Sequence, residues 1–226
     1  MEFQNILKLK LMNPSKHFLS LYFLLLLQFQ VVGQEPWELV KDKEGIQVFT
    51  RANTVSSFRE FKATMRIEAG VNEFLAVLYD VEGLSDWAYN IINSKLLHRP
   101  DDMSQIYYAV AKTPWPYKDR DGIYLNQITW DKKAKLLLVE IDMLEQDVEV
   151  SDDYVRMDGY GYWQVKEVSA SEVEVIFQMQ VDPGGSIKAW MANMFVSDSP
   201  YHTMAGLRDV LQKKKYHGIN YDFLQD

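Results

Sequence analysis

Cysteine is absent from all 226 residues of the sequence. Its absence excludes disulfide bonds, thiolate metal sites, a thiol nucleophile and a lipid-modified N-terminal cysteine. Histidine is scarce, and the four histidines are too scattered for a metal-binding motif: His17, His98, His202 and His217. The sequence also lacks a Gly-x-Ser-x-Gly elbow, a phosphate-binding glycine loop and a dinucleotide fingerprint. We therefore expect no metal and no cofactor, and we find no motif for a catalytic nucleophile.

Basic residues are outnumbered by acidic ones. The 24 lysines and arginines stand against 32 aspartates and glutamates, which gives a net charge of −8 and an isoelectric point near 5.1. A nucleic-acid partner would require a basic surface, so we expect none. Hydrophobic residues make up 47% of the chain and aromatic residues 13%, which is ample for a packed core. The composition is that of a globular protein.

One long apolar run occurs, close to the N-terminus. The basic residues Lys8 and Lys16 precede the apolar stretch 18–32, and the small residue Gly33 follows it. This order is typical of a signal peptide, and the run is shorter than the roughly 20 residues that span a bilayer. We therefore expect residues 1–33 to be a signal peptide cleaved near Gly33, and the protein to be secreted or periplasmic. The alternative is an uncleaved membrane anchor.

Alternating apolar and polar residues predict a long antiparallel sheet. The connections between the alternating segments are short and polar, as in the hairpin turn Asp131-Lys132-Lys133. The pattern predicts strands over residues 46–51, 58–68, 91–99, 105–112, 121–130, 135–143, 155–168 and 172–182. The intervening residues 145–153 are acidic and are predicted to form a loop.

Helical spacing occurs in a few segments. Residues 35–41 predict a short helical turn, 71–79 an amphipathic helix, and 186–216 a long C-terminal helix. The run Ser197-Asp198-Ser199-Pro200 interrupts the last of these, because a proline kinks or ends a helix, so its first part could move as a lid. Helices packed on one face of an antiparallel sheet make an α+β fold. We expect a single domain over residues 35–218, followed by a C-terminal tail, 219–226.

Charged residues at the start of a predicted strand need a separate explanation. Asp119, Arg120 and Asp121 open the strand that follows Trp115 and Pro116. A buried arginine between two carboxylates could be a general acid/base group. The alternative, which we favour, is a bidentate ion pair of Arg120 that fixes the chain, with Trp115 and Pro116 packing beneath.

Several motifs carry a resemblance to a known family, and they occur in this order: Trp87 after a helix, Thr113-Pro114-Trp115-Pro116, Asp119-Arg120-Asp121, Tyr160-Gly161-Tyr162-Trp163, and Asp182-Pro183-Gly184-Gly185 before a helix with Trp190 and Asn193. Together they resemble the START domain, the steroidogenic-acute-regulatory-related lipid-transfer domain of the helix-grip or Bet v 1-like superfamily, as a bacterial-type secreted member. The resemblance covers essentially the whole chain after the signal segment. It implies a curved antiparallel β-sheet wrapped around a long C-terminal helix, a lipid-sized cavity between them, no cofactor, and a structural role for residues 115–121.

Residues that would face such a cavity are the candidate ligand contacts: Trp87, Tyr107, Ala109, Tyr124, Asn126, Tyr160, Tyr162, Trp190, Met191, Met194 and Phe195. In family members that bind sterols, an arginine and an acid on neighbouring strands face the cavity. The corresponding places here are near Asn126 and near Tyr107 or Tyr108, so the charged pair is missing. This departure from the family pattern weakens a prediction of sterol specificity.

These observations predict a protein that binds one hydrophobic ligand, a lipid or lipid-like molecule, under its C-terminal helix. It would act as carrier, transfer protein or sensor, with transient membrane contact, as a monomer and without enzymatic activity. One alternative is a small-molecule enzyme of the helix-grip superfamily, such as a cyclase or isomerase. A second is an interaction module whose cavity is filled by its own side chains, in which case Trp190, Met191, Met194 and Phe195 would pack fully.

Overall fold

Residues 35–145 and 151–224 are described by the computed structural model. The predicted signal peptide, residues 1–33, and part of the acidic loop, residues 146–150, lie outside the described residues. The strands within the described part are β1 (Glu38–Lys43), β2 (Ile46–Arg51), β3 (Glu60–Ile67), β4 (Ile91–Asp101), β5 (Ser104–Ala111), β6 (Asp119–Asp131), β7 (Leu136–Met143), β8 (Tyr154–Arg156), β9 (Asp158–Ser169) and β10 (Glu172–Asp182). The α-helices are α1 (Val71–Tyr79), α2 (Ala189–Phe195) and α3 (Asp198–Leu211), and short 3-10 helices cover Val81–Asp86, Lys214–Tyr216 and Asp222–Leu224.

The strands form one sheet in the order β1-β2-β3-β10-β9-β7-β6-β5-β4, with β8 added beside β6. Neighbours along this order pair antiparallel, whereas β8 pairs parallel with β6. The first three strands join the rest of the sheet through the pairing of β3 with β10, the last strand in chain order. The sheet carries α1 and α3 on its inner face, so the predicted α+β helix-grip fold is confirmed.

Helix α3 supplies most of the helical core contact. Its buried residues recur at three- and four-residue spacing and pack across β2 and β3: Pro200, Tyr201, Thr203, Met204, Leu207, Val210 and Leu211. Helix α1 buries Phe74 edge-on against Trp163, with ring centroids 5.7 Å apart. Asp80 directly follows α1, and Lys215 and Tyr216 come after α3. Both of these residues donate hydrogen bonds to the Asp80 carboxylate, at 2.7 and 2.8 Å. These contacts hold α1 and α3 on the sheet and join the end of α1 to the segment that follows α3.

The C-terminal residues continue the packed layer. Leu224 is buried, and Tyr221 packs edge-on against Tyr79 with centroids 5.2 Å apart. The Tyr221 backbone N–H also donates to the Asn72 side chain at 2.9 Å. Residues 219–224 of the predicted tail therefore contact the first turn and last turn of α1.

Three local predictions differ from the structure. The predicted helical turn at 35–41 is wrong, because residues 38–43 form β1 and pair with β2. The predicted strand 155–168 divides at Met157, since β8 joins β6 while β9 joins β7. The long C-terminal helix is two helices that meet at Val196 and Ser197, and Pro200 lies in the first turn of the second, where its missing N–H costs no helical bond.

Candidate functional site

A cavity of about 400 Å³ lies between the inner face of the sheet and the helices. One wall is built by inward-facing residues of β3, β5, β6, β7, β9 and β10. The opposite wall is built by the segment 81–91, by α2 and by the start of α3. Its volume falls in the range of small-molecule and cofactor sites, which are lined mainly by apolar groups with a few polar ones.

Stacked aromatic rings form one side of the cavity. Trp163 on β9 and Phe177 on β10 are direct cross-strand partners, and their rings stack 3.8 Å apart at 5°. Phe61 on β3 meets Phe177 edge-on at 5.2 Å, and Trp87 lies 6.1 Å from Trp163. Rings locked by such contacts give a rigid apolar surface with little rotamer freedom left to lose on binding.

Polar residues lie on the other side, along β5 and β6. Tyr107 and Tyr124 pair across the strands and stack with centroids 5.0 Å apart at 9°. Beyond them Asn126 pairs with Gln105, and both amides are buried. Within the described residues the Oδ1 atom of Asn126 and the Nε1 atom of Trp87 have no hydrogen-bond partner. Because buried polar atoms are nearly always paired, these two require an explanation.

The two tyrosines remain protonated across the physiological range. Burial raises the pKa of Tyr107, the neighbouring Tyr124 raises it further, and the Asn126 amide acts in the opposite direction. Burial likewise raises the pKa of Tyr124, with a further contribution from the Asp121 charge. Both side chains are half-buried, and the surface that they keep faces the cavity. They are therefore neutral hydrogen-bonding groups rather than bases.

Charged side chains occur only sparsely in the described lining, and all of them are basic: Arg59, Lys112 and Arg120. Arg59 pairs with Glu38 at 2.7 Å, and Lys112 pairs with Asp119 at 3.0 Å. No carboxylate or histidine is among the lining residues of this cavity in the described part of the chain. The wall therefore offers no side chain with an ordinary pKa near neutrality to act as a general base.

The charged motif at the start of β6 connects this strand to neighbouring segments through hydrogen bonds and one ion pair. Arg120 donates to the carbonyl oxygens of Lys118, Pro183 and Gly184, the latter two at 3.1 and 3.5 Å. The bidentate ion pair belongs instead to Asp121 and Arg156, with both N–O distances 2.9 Å. The predicted ion pair of Arg120 is thus corrected, because the carbonyls of a distant loop rather than the flanking carboxylates satisfy its guanidinium.

The flanking residues of this motif also need correction. Asp119 accepts hydrogen bonds from the Thr113 N–H at 2.8 Å and from Lys112, which closes the loop between β5 and β6. The Thr113 bond is the largest cause that lowers the pKa of Asp119. Trp115 does not pack beneath the motif, as it is 91% exposed. Gly184 adopts a φ of +65°, and a side chain there would collide with the Arg156 carbonyl oxygen, so this contact requires glycine.

The structure brings together six of the residues predicted to contact a ligand and places five elsewhere. The six on the cavity wall are Trp87, Tyr107, Ala109, Tyr124, Asn126 and Phe195. Tyr160 and Tyr162 lie on the outer face, because alternate residues of β9 point to opposite sides and Trp163 points inward. Trp190, Met191 and Met194 are outside the described lining, and Trp190 and Met194 are 61% and 63% exposed.

Residues that sequence reasoning missed include Trp163, Phe177, Met179 and Thr203, which all line the cavity. Tyr160, Tyr162 and Trp163 occupy both phases of one alternating strand, so aromatic content could not identify the inner phase. The neighbouring strand gives a better signal, since its buried residues Val173, Val175 and Met179 share a phase with Phe177. Trp163 on β9 is the cross-strand partner of Phe177, so this pairing places Trp163 on the inner face of the sheet.

Helix α2 covers the cavity through few contacts. It has no buried residue, and its side-chain hydrogen bonds come from Asn193. The Asn193 Oδ1 accepts from the Arg59 N–H at 3.0 Å, and its Nδ2 donates to the Ser57 carbonyl at 3.3 Å. The described residues contain no helix long and apolar enough to cross a membrane. They also contain no cluster of acidic and histidine side chains that could hold a metal ion.

Comparison with known proteins matches this architecture to one family. The family model of the START domain matches residues 26–216. An uncharacterized Pseudomonas aeruginosa protein is 29% identical over 82% of this chain and 93% of its own length. A Xanthomonas axonopodis structure described as a STAR-related lipid transfer protein is 31% identical, with a TM-score of 0.73 over 78% of this chain and 99% of that one. Mouse phosphatidylcholine transfer protein is 21% identical over 70% of this chain and 75% of its own. The chain belongs to the START domain family.

Proposed function

We propose that this protein carries one hydrophobic ligand, a lipid or lipid-like molecule, in the cavity beneath α2 and α3. The observation that supports this most strongly is the cavity itself, about 400 Å³ and lined largely by apolar and aromatic side chains. Each square ångström of apolar ligand surface removed from water contributes about 25 cal/mol. Lipid binding in general is supported by the family, and the names of the Xanthomonas and mouse relatives refer to lipid transfer.

The ligand is carried rather than converted. Support comes from the described lining, in which tyrosine and asparagine supply the deep polar groups and carboxylates are absent. The alternative of a self-filled interaction module requires the side chains of α2 to pack fully. Trp190, Met194 and Phe195 are instead 61%, 63% and 47% exposed beside an open cavity.

Ligand exchange would occur at a membrane surface, with α2 opening transiently. Exposed apolar residues gather on elements that border the cavity: Trp115 beside the lining residue Pro114, and Trp190, Met194 and Phe195 on α2. Tryptophan is favoured at the boundary between lipid and water. Since Asn193 supplies the hydrogen bonds of α2 to the loop at Ser57, the helix can open at modest cost.

The protein would work as a monomer outside the cytoplasm, in the periplasm or secreted. This part of the proposal rests on the basic, apolar and small-residue order of residues 1–33. Cell fractionation of a tagged full-length chain in a bacterial host tests it. Cleavage near Gly33 and recovery with periplasmic or secreted proteins is expected, and recovery in the cytoplasm at full length would contradict it.

Native mass spectrometry of the purified full-length chain, as the host processes it, tests the binding function. We expect a population with one bound apolar molecule per protein chain, and additional uptake when the empty fraction is mixed with lipid extract. Size-exclusion chromatography in parallel should give a monomer. Recovery of an empty chain that takes up nothing from the extract would contradict the proposed function.

A further inference from the structure

The cavity beneath α2 and α3 is long compared with its width. Strand β6 lines it from Arg120 to Asn126, and β10 with the loop after it lines it from Phe177 to Pro183. Each of these stretches covers six steps of extended chain, which measure roughly 20 Å at about 3.3 Å per residue. Their outer ends meet where Arg120 donates to the Pro183 carbonyl at 3.1 Å. Two strands therefore give the same length for the space.

The width of the cavity follows from its volume. A space of about 400 Å³ that is roughly 20 Å long has a mean cross-section of about 20 Å², or about 5 Å across. Neighbouring polypeptide strands lie about 4.8 Å apart, so this width is that of one extended chain. The stacked rings of Trp163 and Phe177, 3.8 Å apart, and the edge-on ring of Phe61 leave little room for the wall to yield.

The volume also limits how much hydrocarbon the cavity can hold. A methylene group takes up nearly the same space as a water molecule in the liquid, about 30 Å³, so about 400 Å³ holds roughly 13 carbons. The two chains of a bilayer phospholipid each span about half of a 30 Å hydrocarbon core. Side by side they would match the length of the cavity but would need twice its cross-section.

Charge is distributed unevenly along the cavity. The charged residues of the described lining lie toward its outer end: Arg59 directly before β3, Lys112 directly after β5, and Arg120 at the start of β6. The inner end, at Asn126 and its cross-strand partner Ile141, is uncharged. A charged head group carried to that end would be buried without a counter-charge, which is strongly unfavourable. The inner end is therefore suited to a hydrocarbon chain.

We propose that the ligand is a single-chain amphiphile, with one unbranched hydrocarbon chain of roughly 13 carbons inside the cavity and its head group at the outer end. A phospholipid with two long chains would leave one of them in water. This inference rests on the proposed function and specifies which class of lipid the cavity selects.

Two matched probes test the number of chains. Dodecanoyl lysophosphatidylcholine and dihexanoyl phosphatidylcholine have the same head group and the same number of acyl carbons, in one chain and in two. Each is titrated into the full-length protein, as the host processes it, and bound and free protein are counted by native mass spectrometry. The single-chain probe should bind at least roughly tenfold more tightly, because only one short chain of the other probe can enter the cavity.

A series of lysophosphatidylcholines from octanoyl to stearoyl tests the length of the chain. Each added carbon should raise the affinity about fourfold, equivalent to about 0.8 kcal/mol per buried methylene, as long as the carbon is inside the cavity. The rise should stop near myristoyl, because further carbons stay in water. The position of this break measures the capacity of the cavity.

A variant at the inner end should move the break. Ile141 lines the cavity and is 4% exposed, so I141A should shift the limit toward longer chains by about two carbons. The matched control is I123A, because Ile123 is 2% exposed and lies outside the described lining. It removes the same atoms from the interior and should leave the limit unchanged.

The outcomes distinguish this inference from the proposed function. Equal affinity of the wild type for the two matched probes would overturn the inference and leave the carrier function intact. An affinity that keeps rising up to stearoyl, or a limit that moves equally in I141A and I123A, would do the same. The wild-type comparison decides the matter even where a variant does not fold. Failure of the wild type to bind any probe or any lipid from extract would contradict the proposed function, and the inference with it.

Discussion

Helices α2 and α3 are consecutive in the chain, yet they contribute to the protein in opposite ways. Helix α3 buries seven residues against the sheet, whereas α2 buries none. Helix α3 thus stabilises the fold, and α2 covers the cavity that we propose to open for ligand exchange. Because the two helices are separate at Val196 and Ser197, the proposed opening of α2 would leave the packing of α3 in place. We therefore predict that substitutions in α3 change stability and that substitutions in α2 change the proposed ligand exchange.

The largest expected effect is on the stability contributed by α3. Leu207 is fully buried, and L207A should lower the free energy of unfolding by about 2–5 kcal/mol through lost burial and a residual cavity. Urea denaturation followed by circular dichroism measures the change. The matched control on α2 is M194A, where the side chain is 63% exposed and a change below about 0.5 kcal/mol is expected. Equal losses in the two variants would contradict the division between the helices.

A second, smaller effect concerns the clamp between β6 and the loop that leads to α2. R120A removes the donor to the Pro183 and Gly184 carbonyls, and we expect a loss of about 2–3 kcal/mol, since hydrogen bonds from a charged donor are each substantial. The melting temperature of R120A and its uptake of lipid from extract, followed by native mass spectrometry, should be measured together. An unchanged melting temperature with lost binding would show that Arg120 contacts the ligand and is not a clamp.

The sequence predicted the sheet and α1 well because their signals are local. Alternation fixed the hairpin strands, and the spacing of Val71, Phe74, Leu75 and Leu78 fixed the helix, where all four are buried. Pro200 also marked the break between α2 and α3. In contrast, residues 38–43 carry no strong strand pattern, and they become β1 by pairing with β2.

The candidate site was only partly predictable, because its geometry depends on residues far apart in the chain. Tyr107, Tyr124 and Asn126 were identified since their strands alternate clearly. The partners of Arg120 lie 63 and 64 positions away, which no local pattern indicates. Trp163 was missed because Tyr160 and Tyr162 give the opposite phase of β9 more aromatic residues than the inner phase has.

A third prediction concerns alkaline pH. Burial raises the pKa of Tyr107 and Tyr124 above their ordinary value near 10. The native state therefore keeps protons that the unfolded state loses, so stability is fully present below pH 10 and falls as the pH rises above it. Each retained proton contributes a slope of about 1.4 kcal/mol per pH unit. Urea denaturation between pH 9 and 11 should show this decline, and Y107F should make it shallower. A steeper decline in Y107F would contradict the assignment.

A fourth prediction concerns the connection of α2 to the rest of the protein. N193A removes the hydrogen bonds to Arg59 and Ser57, so α2 should open more often and a pyrene-labelled lipid should transfer between vesicles several-fold faster. The loss of global stability should stay below about 1 kcal/mol, because both bonds are partly solvent-exposed. Stopped-flow fluorescence measures the rate, with M194A as a control that keeps both bonds. A slower rate, or unfolding of the whole domain, would contradict the view of α2 as a separate cover.

The most direct test of the central claim is to fill the cavity without disturbing the helices. Ala109 is 1% exposed and lies on the cavity wall, and its cross-strand partner is Gly122 on β6. The larger side chain of A109F should therefore occupy part of the space that the proposed ligand needs. Native mass spectrometry of wild type and variant, both confirmed as folded by circular dichroism, then compares occupancy. We predict one bound apolar molecule per wild-type chain and a strongly reduced fraction in A109F. Full occupancy in a folded A109F protein would contradict binding in this cavity.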